Sequence, residues 1–361
     1  MGSYSPNSDW TTHHPDTPVL SVIVSVDTIN EQAPQCLDDI LKVIGDSPCE
    51  VLVASREIWP DPPPELTVVS CASDSRGERY DRAAWRARGR ILAFLDDGVC
   101  LPDGWPDRVI DFFDDPDVAI AGGPVLVRTR SRADRVGALL IDHHLGATRM
   151  GSVSSSARPQ VVAELTESNV LIRKDVFRRV GGFRSPRTGG ETMRLCHAVR
   201  SLLGCKVHYR PDLAVFGSLR SFPGPFLADV AAHGRARGET ARVSLVAAAR
   251  RFPTAQSATD GRASVDDLAP SVVAFAFPTL LVLLVFLEVV LAAPFTPFRH
   301  LRLAEYIGAT LLLVLYLIQV GRVALARGAV RIEDRALAAL CLPLASVTYL
   351  GAFALGFFDT R

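Results

Sequence analysis

Two adjacent carboxylates close an apolar run in this 361-residue chain: residues 90–95 lead straight into Asp96-Asp97-Gly98. An apolar run of this length reads as a strand. Two carboxylates at its end can hold a divalent metal through oxygen ligands, and the metal can neutralise a diphosphate. They can also accept hydrogen bonds from a ribose. The same triplet is a good turn sequence, so on local sequence a turn and a site are equally supported. Three other clusters carry charge. Arg76, Arg79, Arg82, Arg86 and Arg88 line a helix face that reads as solvated, with the membrane or ligand phosphates as the alternative. Asp142, His143 and His144 could bind metal, but three successive side chains rarely point one way, so a structural or solvated role is expected. Asp111, Asp114, Asp115 and Asp117 surround Pro116 and read as a helix end and turn, because no calcium-loop register fits.

The segments before Asp96 alternate in type. Residues 19–26, 50–54, 66–69 and 90–95 read as strands, and residues 35–44 and 78–88 as helices. This alternation implies an α/β domain with a mostly parallel sheet and helices on both faces. Ligands of such sheets bind at the carboxyl ends of the strands, which is where Asp96 and Asp97 stand.

Composition narrows the partners. The 39 basic and 39 acidic residues cancel, which argues against nucleic acid. Lysine occurs only as Lys42, Lys174 and Lys206, so arginine carries the positive charge. The seven cysteines include no C-x-x-C pair. That suggests neither a zinc site nor a disulfide framework, and their apolar contexts fit a reducing compartment. Residues 1–17 are polar, lack the pattern of a secretory signal and read as a disordered tail.

Three apolar runs lie near the C-terminus, at about residues 271–295, 304–326 and 336–358. Each is long enough to cross a bilayer. Glu288 and Gln319 are their polar members and hint at helix contacts. Arg242, Arg250, Arg251 and Arg262 precede the first run, and Arg322, Arg327, Arg331 and Arg335 surround the second connection. The first connection holds only Arg299 and Arg302. Positive charge concentrates on the cytosolic side, so the reading is a multi-pass inner-membrane protein with its N-terminal domain in the cytosol and its C-terminus outside. Residues 223–252 mix Phe226, Leu227, Val230, Val243, Leu245 and Val246 with His233, Arg235, Arg237, Arg242 and Arg250. That pattern suits an amphipathic helix on an anionic leaflet. The domain plan is therefore a tail at 1–17, an α/β domain at 18–222, an interfacial helix and linker at 223–269, and three transmembrane helices at 270–361.

The run from Arg88-Gly89-Arg90 through Asp96-Asp97, with Pro102 and Trp105 after it, resembles the centre of family-2 (GT-A fold) glycosyltransferases. Ser21-Val22-Ile23-Val24 is similar to their first strand, Gly122-Gly123-Pro124 to the turn after their metal motif, and residues 168–177 with Gly181-Gly182-Phe183 to their acceptor-side segment. Gly190-Glu191 with Leu195-Cys196 resembles their catalytic Gly-Glu-Asp motif, and His233-Gly234 with Arg237-Gly238 a basic segment before their membrane helices. The resemblance covers about residues 18–361. It implies a GT-A-like, Rossmann-like nucleotide-sugar domain that inverts the anomeric carbon. A base would deprotonate the acceptor hydroxyl, and a metal, Mg2+ or Mn2+, would stabilise the leaving diphosphate. By this carry-over Asp96 and Asp97 meet the ribose or metal, Thr28 and Trp105 belong to the donor site, and Glu191 and Thr192 occupy the base motif. Arg235 and Arg237 meet the diphosphate or a lipid phosphate. The acceptor would be a lipid-linked or cell-envelope glycan, in keeping with a bacterial hexosyltransferase-like enzyme.

The chain departs from the pattern at several positions. Gly98 stands where a third Asp is expected, and Thr192 where the base Asp is expected. Ser55-Arg56 replaces an acidic nucleobase contact, and Phe216-Gly217-Ser218 replaces a His pair. Threonine is no base at neutral pH without activation; Asp97, Glu191 or Asp103 are the carboxylates that could substitute. These departures raise the alternative of a catalytically weak or inactive homologue serving a membrane protein partner. A third alternative is a domain that binds a nucleotide sugar or lipid phosphate for another purpose. Glu164 and Glu167 could line an acceptor groove.

Overall fold

Aliphatic residues with almost no polar interruption make strands that are buried on both faces, and the first half of the chain is built this way. The computed structural model describes residues 17–27, 32–127, 131–144, 158–165, 168–183, 190–217, 223–250 and 331–358. Strand β1 (Leu20–Val26) is wholly buried. It is followed by α1 (Gln32–Ile44), β2 (Cys49–Ser55), β3 (Leu66–Ser70), α2 (Arg76–Arg86) and β4 (Ile91–Asp96). All four strands run parallel, with β1 between β2 and β4. Every element expected here from sequence is present. Helix α2 starts two residues earlier than its periodicity suggests, because Ser75 caps it and accepts a hydrogen bond from Glu78 N.

The chain divides into two compact units. The first, residues 1–128 and 150–218, adds α3 (Trp105–Phe113), β5 (Ile120–Gly122), β6 (Val125–Val127), β7 (Gln160–Val162) and β8 (Asn169–Arg173). It continues with α5 (Lys174–Val180), α6 (Glu191–Leu203), β9 (Val207–Tyr209) and β10 (Val215–Gly217). Among the described residues the main sheet has the order β3-β2-β1-β4-β8-β5-β9-β7, and β10 pairs with β6 in a small second sheet. Strand β8 is antiparallel to both of its neighbours, β4 and β5, so the sheet is mostly parallel with a reversed strand beside β4.

Side chains alternate along each strand, and the two faces carry separate cores. One gathers Val22, Val24, Val51, Ala93 and Leu95 against Leu37 and Ile40 of α1 and Trp105, Val109 and Phe113 of α3. The other gathers Ile23, Leu52, Leu92 and Phe94 against Tyr80 and Ala83 of α2 and Val176 and Phe177 of α5. On that face Tyr80, Phe94, Phe177 and Phe183 form a ring cluster, with centroids 4.8–5.5 Å apart. The cluster holds the first turns of α2 beside the end of β4. The acidic run at 111–117 forms the helix end and turn that its sequence suggests: Asp115 Oδ1 accepts from Asp117 N at 2.9 Å.

The second unit, residues 129–149 and 219–361, contains α4 (Arg132–His144), α7 (Gly224–Arg250) and α8 (Ile332–Phe358) among its described residues. Phe226 and Val230 of α7 are buried with Val136, Leu139 and Leu140 of α4 and with Ala338, Leu342, Ala345 and Tyr349 of α8. Part of the apolar face expected to lie on a leaflet is therefore spent inside this unit. The backbones of α7 and α8 come very close: a methyl group at Gly234 or Gly238 would strike the carbonyl oxygens of Tyr349 or Phe353. Small residues four apart permit such helix contacts. The buried carboxylate of Asp334 takes hydrogen bonds from Arg132 Nε at 3.1 Å and Arg135 Nε at 2.7 Å. Helix α8 contains one segment, Glu333–Phe358, long and apolar enough to cross a membrane. The other two apolar runs, residues 1–16 of the tail and residues 251–269 of the linker lie outside the described residues.

Candidate functional site

Asp96 is the last residue of β4. Gly98 follows with φ +78°, and Val99 N donates back to Asp96 O at 3.3 Å. A left-handed residue at this position suits glycine and strains L side chains. The triplet is therefore a turn as well as a candidate site, and the turn accounts for the glycine at position 98. Asp97 is exposed, and its backbone N–H donates to Ser25 O at 3.1 Å.

The Asp96 carboxylate is thoroughly engaged. Arg76 Nη1 donates to Oδ1 at 2.9 Å and to Oδ2 at 3.0 Å. Tyr80 OH reaches Oδ1 at 3.1 Å and also donates to Leu95 O at 2.8 Å. Ser168 Oγ donates to Oδ2 at 2.7 Å. Local structure explains each partner. In a parallel sheet the helix after β3 starts at the same edge where β4 ends, so Arg76, in the first turn of α2, stands beside Asp96. Tyr80 lies four residues on, on the same helix face. The antiparallel register pairs Leu95 with Asn169, which brings Ser168 opposite Asp96. Burial, reinforced by the Asp96 charge, pushes the Tyr80 phenol well above its ordinary pKa, so it stays a neutral donor.

Arg76 also reaches across the cleft: its Nη2 lies 3.3 Å from Glu191 Oε2. Gly190, at φ +72°, turns the chain so that Glu191 is the first residue of α6. There the helix dipole favours its negative charge. The Glu191 side chain is 2% exposed, against 13% for Arg76 and 22% for Asp96, so the group opens to solvent on the Asp96 side. Glu191 Oε1 is buried with no hydrogen-bond partner among the described residues. A buried carboxylate oxygen without a donor is costly. Thr192 is buried beside it.

The basic face of α2 is not uniformly solvated. Arg82 and Arg86 are exposed, but Arg79 is only 2% exposed and pairs with Asp27. It also donates to Ser73 O at 2.9 Å and contacts Ser25 Oγ at 3.4 Å. Arg56 pairs with Asp74 at 2.6 Å. Asp27 and Asp74 thus supply carboxylates near the strand ends.

The other residues expected at the site are placed as follows. Trp105 is fully enclosed in the core, and its indole N–H is directed at Leu213 O at 3.3 Å. Asn169 Nδ2 shares that carbonyl at 2.8 Å. Asp103 is exposed, and its carbonyl accepts from Arg108. Glu164 is buried. Thr28 and Glu167 lie outside the described residues. Arg235, exposed, and Arg237, buried, stand on α7 in the second unit, and Asp142, His143 and His144 form the end of α4.

Asp96, with a guanidinium on both of its oxygens, is a poor donor for a divalent metal. Arg76 Nη1 faces both oxygens of Asp96, and Tyr80 OH and Ser168 Oγ stand against one oxygen each. Among the described residues no group of three His, Cys, Asp or Glu side chains stands ready to hold an ion. Sequence reasoning missed Arg76, Tyr80 and Ser168 as the shell of Asp96. The 76/80 spacing was a usable signal; Ser168 required the β4–β8 register.

No protein-family model matches the sequence, and no curated protein matches it. Among solved structures, the chain is similar to the crystal structure of GalNAc-T7 with UDP, GalNAc and Mn2+. The TM-score is 0.44 at 11% identity, over 63% of this chain and 49% of that one. It is also similar to S. aureus TarS, with a TM-score of 0.39 at 14% identity, over 59% of this chain and 38% of that one. The chain spans about half of the first of these proteins or less than half of the second.

Proposed function

We propose that this chain is a membrane-bound glycosyltransferase. It transfers a sugar from a nucleotide-diphosphate donor, with inversion, to a lipid-linked or cell-envelope glycan. The observation that carries this reading is the meeting of Asp96 and Glu191 through Arg76 at the carboxyl end of β4, the position where α/β sheets bind ligands. In the proposed reaction the acceptor oxygen attacks the anomeric carbon. Glu191 Oε1 takes the hydroxyl proton, the bond from the anomeric carbon to the phosphate oxygen breaks, and its electron pair leaves on the diphosphate. Asp96, held in place by Tyr80 and Ser168, serves the ribose end of the donor. Arg235 and Arg237 serve a lipid phosphate, and Asp97 and Thr28 border the donor.

The membrane part of the proposal rests on α8. Leu340, Leu344, Val347, Leu355 and Phe358 are exposed along one stripe of it, while Ala338, Leu342, Ala345 and Tyr349 are buried. An apolar stripe left uncovered on a long apolar helix suits contact with lipid. Three spans, a cytosolic α/β unit and an external C-terminus are the arrangement we propose.

Turnover of a panel of nucleotide sugars by membranes carrying the natural chain or Glu191→Gln tests the reading. Loss of the base lowers the rate about 100-fold or more. Equal turnover in the two would remove Glu191 from the chemistry. Absence of turnover over the whole panel would favour a second reading, an inactive homologue that serves a membrane partner. The specific observation behind that reading is Thr192, buried where a base carboxylate is expected.

A further inference from the structure

The cation at the end of β4 is an arginine. Both oxygens of Asp96 and one of Glu191 are turned to Arg76. Tyr80 and Ser168 stand against one oxygen of Asp96 each. A dication binds through several open oxygens at about 2.0–2.6 Å, and Glu191 Oε1 is the one unengaged oxygen of the group. Position 98, where a further metal ligand is expected, is a glycine held at positive φ. A guanidinium keeps its charge at any physiological pH, so a metal here would meet a fixed like charge. Guanidinium also matches phosphate oxygens in shape and charge.

We infer that Arg76 takes the place of the divalent metal, so that this site accepts a nucleoside diphosphate group without one. The inference rests on the nucleotide-sugar reading above. In the transfer step Arg76 would stabilise the electron pair that departs on the diphosphate oxygen, while the proton goes to Glu191.

The test uses the full chain in nanodiscs, with UDP, GDP and dTDP as probes and calorimetric titration in excess EDTA or in MnCl2. The affinity for the nucleotide that binds is expected to agree within about threefold between the two conditions. The free Mn2+ signal in electron paramagnetic resonance is expected to stay unchanged when nucleotide-free protein is added. Arg76→Ala should weaken binding by about tenfold or more, with Arg76→Lys between it and the natural chain. If Arg76→Ala does not fold, as judged by its melting curve, the calorimetric and Mn2+ comparisons on the natural chain decide the matter alone. Mn2+ retained by the protein, or nucleotide bound more than about tenfold tighter with Mn2+, overturns the inference and leaves the nucleotide-sugar reading standing. No binding of any probe under either condition overturns both.

Discussion

Asp96, Arg76, Tyr80, Ser168 and Glu191 form one hydrogen-bonded group, and each member has a separable role. Tyr80 OH serves both Leu95 O and Asp96 Oδ1. Tyr80→Phe removes the one hydroxyl proton that Leu95 O and Asp96 Oδ1 share, so it should cost about 1 kcal/mol in urea unfolding. Gly98 has a purely conformational duty. Gly98→Asp would restore the carboxylate expected by resemblance, but at φ +78° it should lose about 1–2 kcal/mol of stability. It should create no Mn2+ site, because Arg76 still occupies Asp96. Urea denaturation and Mn2+ titration of the variant check the two halves of that prediction.

The elements around the site are tied together by a half-buried carboxylate, Glu50 on β2. It accepts from Ser21 Oγ on β1 at 2.7 Å and from Arg88 Nε at 2.9 Å and Gly89 N at 3.3 Å in the turn between α2 and β4. Burial alone pushes its pKa up, but the hydrogen bonds from Ser21, Arg88 and Gly89 outweigh it, and the folded value lies below the ordinary one. A carboxylate depressed in this way adds stability above its unfolded pKa of about 4.3 and loses it as pH falls through the lower folded value. Glu50→Gln should therefore be less stable than the natural chain at neutral pH, with the gap closing below about pH 4. Urea midpoints measured across that range check the sign; a gap that widens on acidification would be the wrong one. In the second unit, Asp334 ties α8 to α4 through Arg132 and Arg135. These arginines are partly exposed, so Asp334→Ala should cost less than a fully buried pair, about 1–3 kcal/mol, read from the loss of helical signal on heating.

At the scale of the whole molecule the thiols report on how the chain is built. All seven cysteines are free. Burial pushes Cys36 up to about 11 and Cys49 and Cys196 to about 12. The thiolate is the reactive form, so these three should resist iodoacetamide at pH 8 in the folded chain and react after urea is added. Mass spectrometry of the alkylated peptides reads this directly. Rapid labelling of Cys196 in the native chain would mean that the face of the sheet carrying α5 and α6 is open.

Hydrophobic periodicity is a local property, so the sequence alone determined where β1 to β4, α1 and α2 begin and end to within a few residues, that Asp96 terminates a strand, and that α8 is an apolar helix. Charge partners are not local. Arg76 and Glu191 are 115 residues apart in sequence, and Ser168 and Asp96 are 72 apart. A run of arginines on a helix reads as solvated until packing decides which of them turn inward, as Arg76 and Arg79 do. Only the tertiary structure could show that β8 runs antiparallel beside β4 and so brings Ser168 to Asp96. It likewise showed that Arg76, and no open pair of aspartates, forms the charged centre of the site. The physical reason is that a hydrogen bond depends on the geometry of two groups in space, and sheet register and helix facing set that geometry after the sequence has chosen the elements.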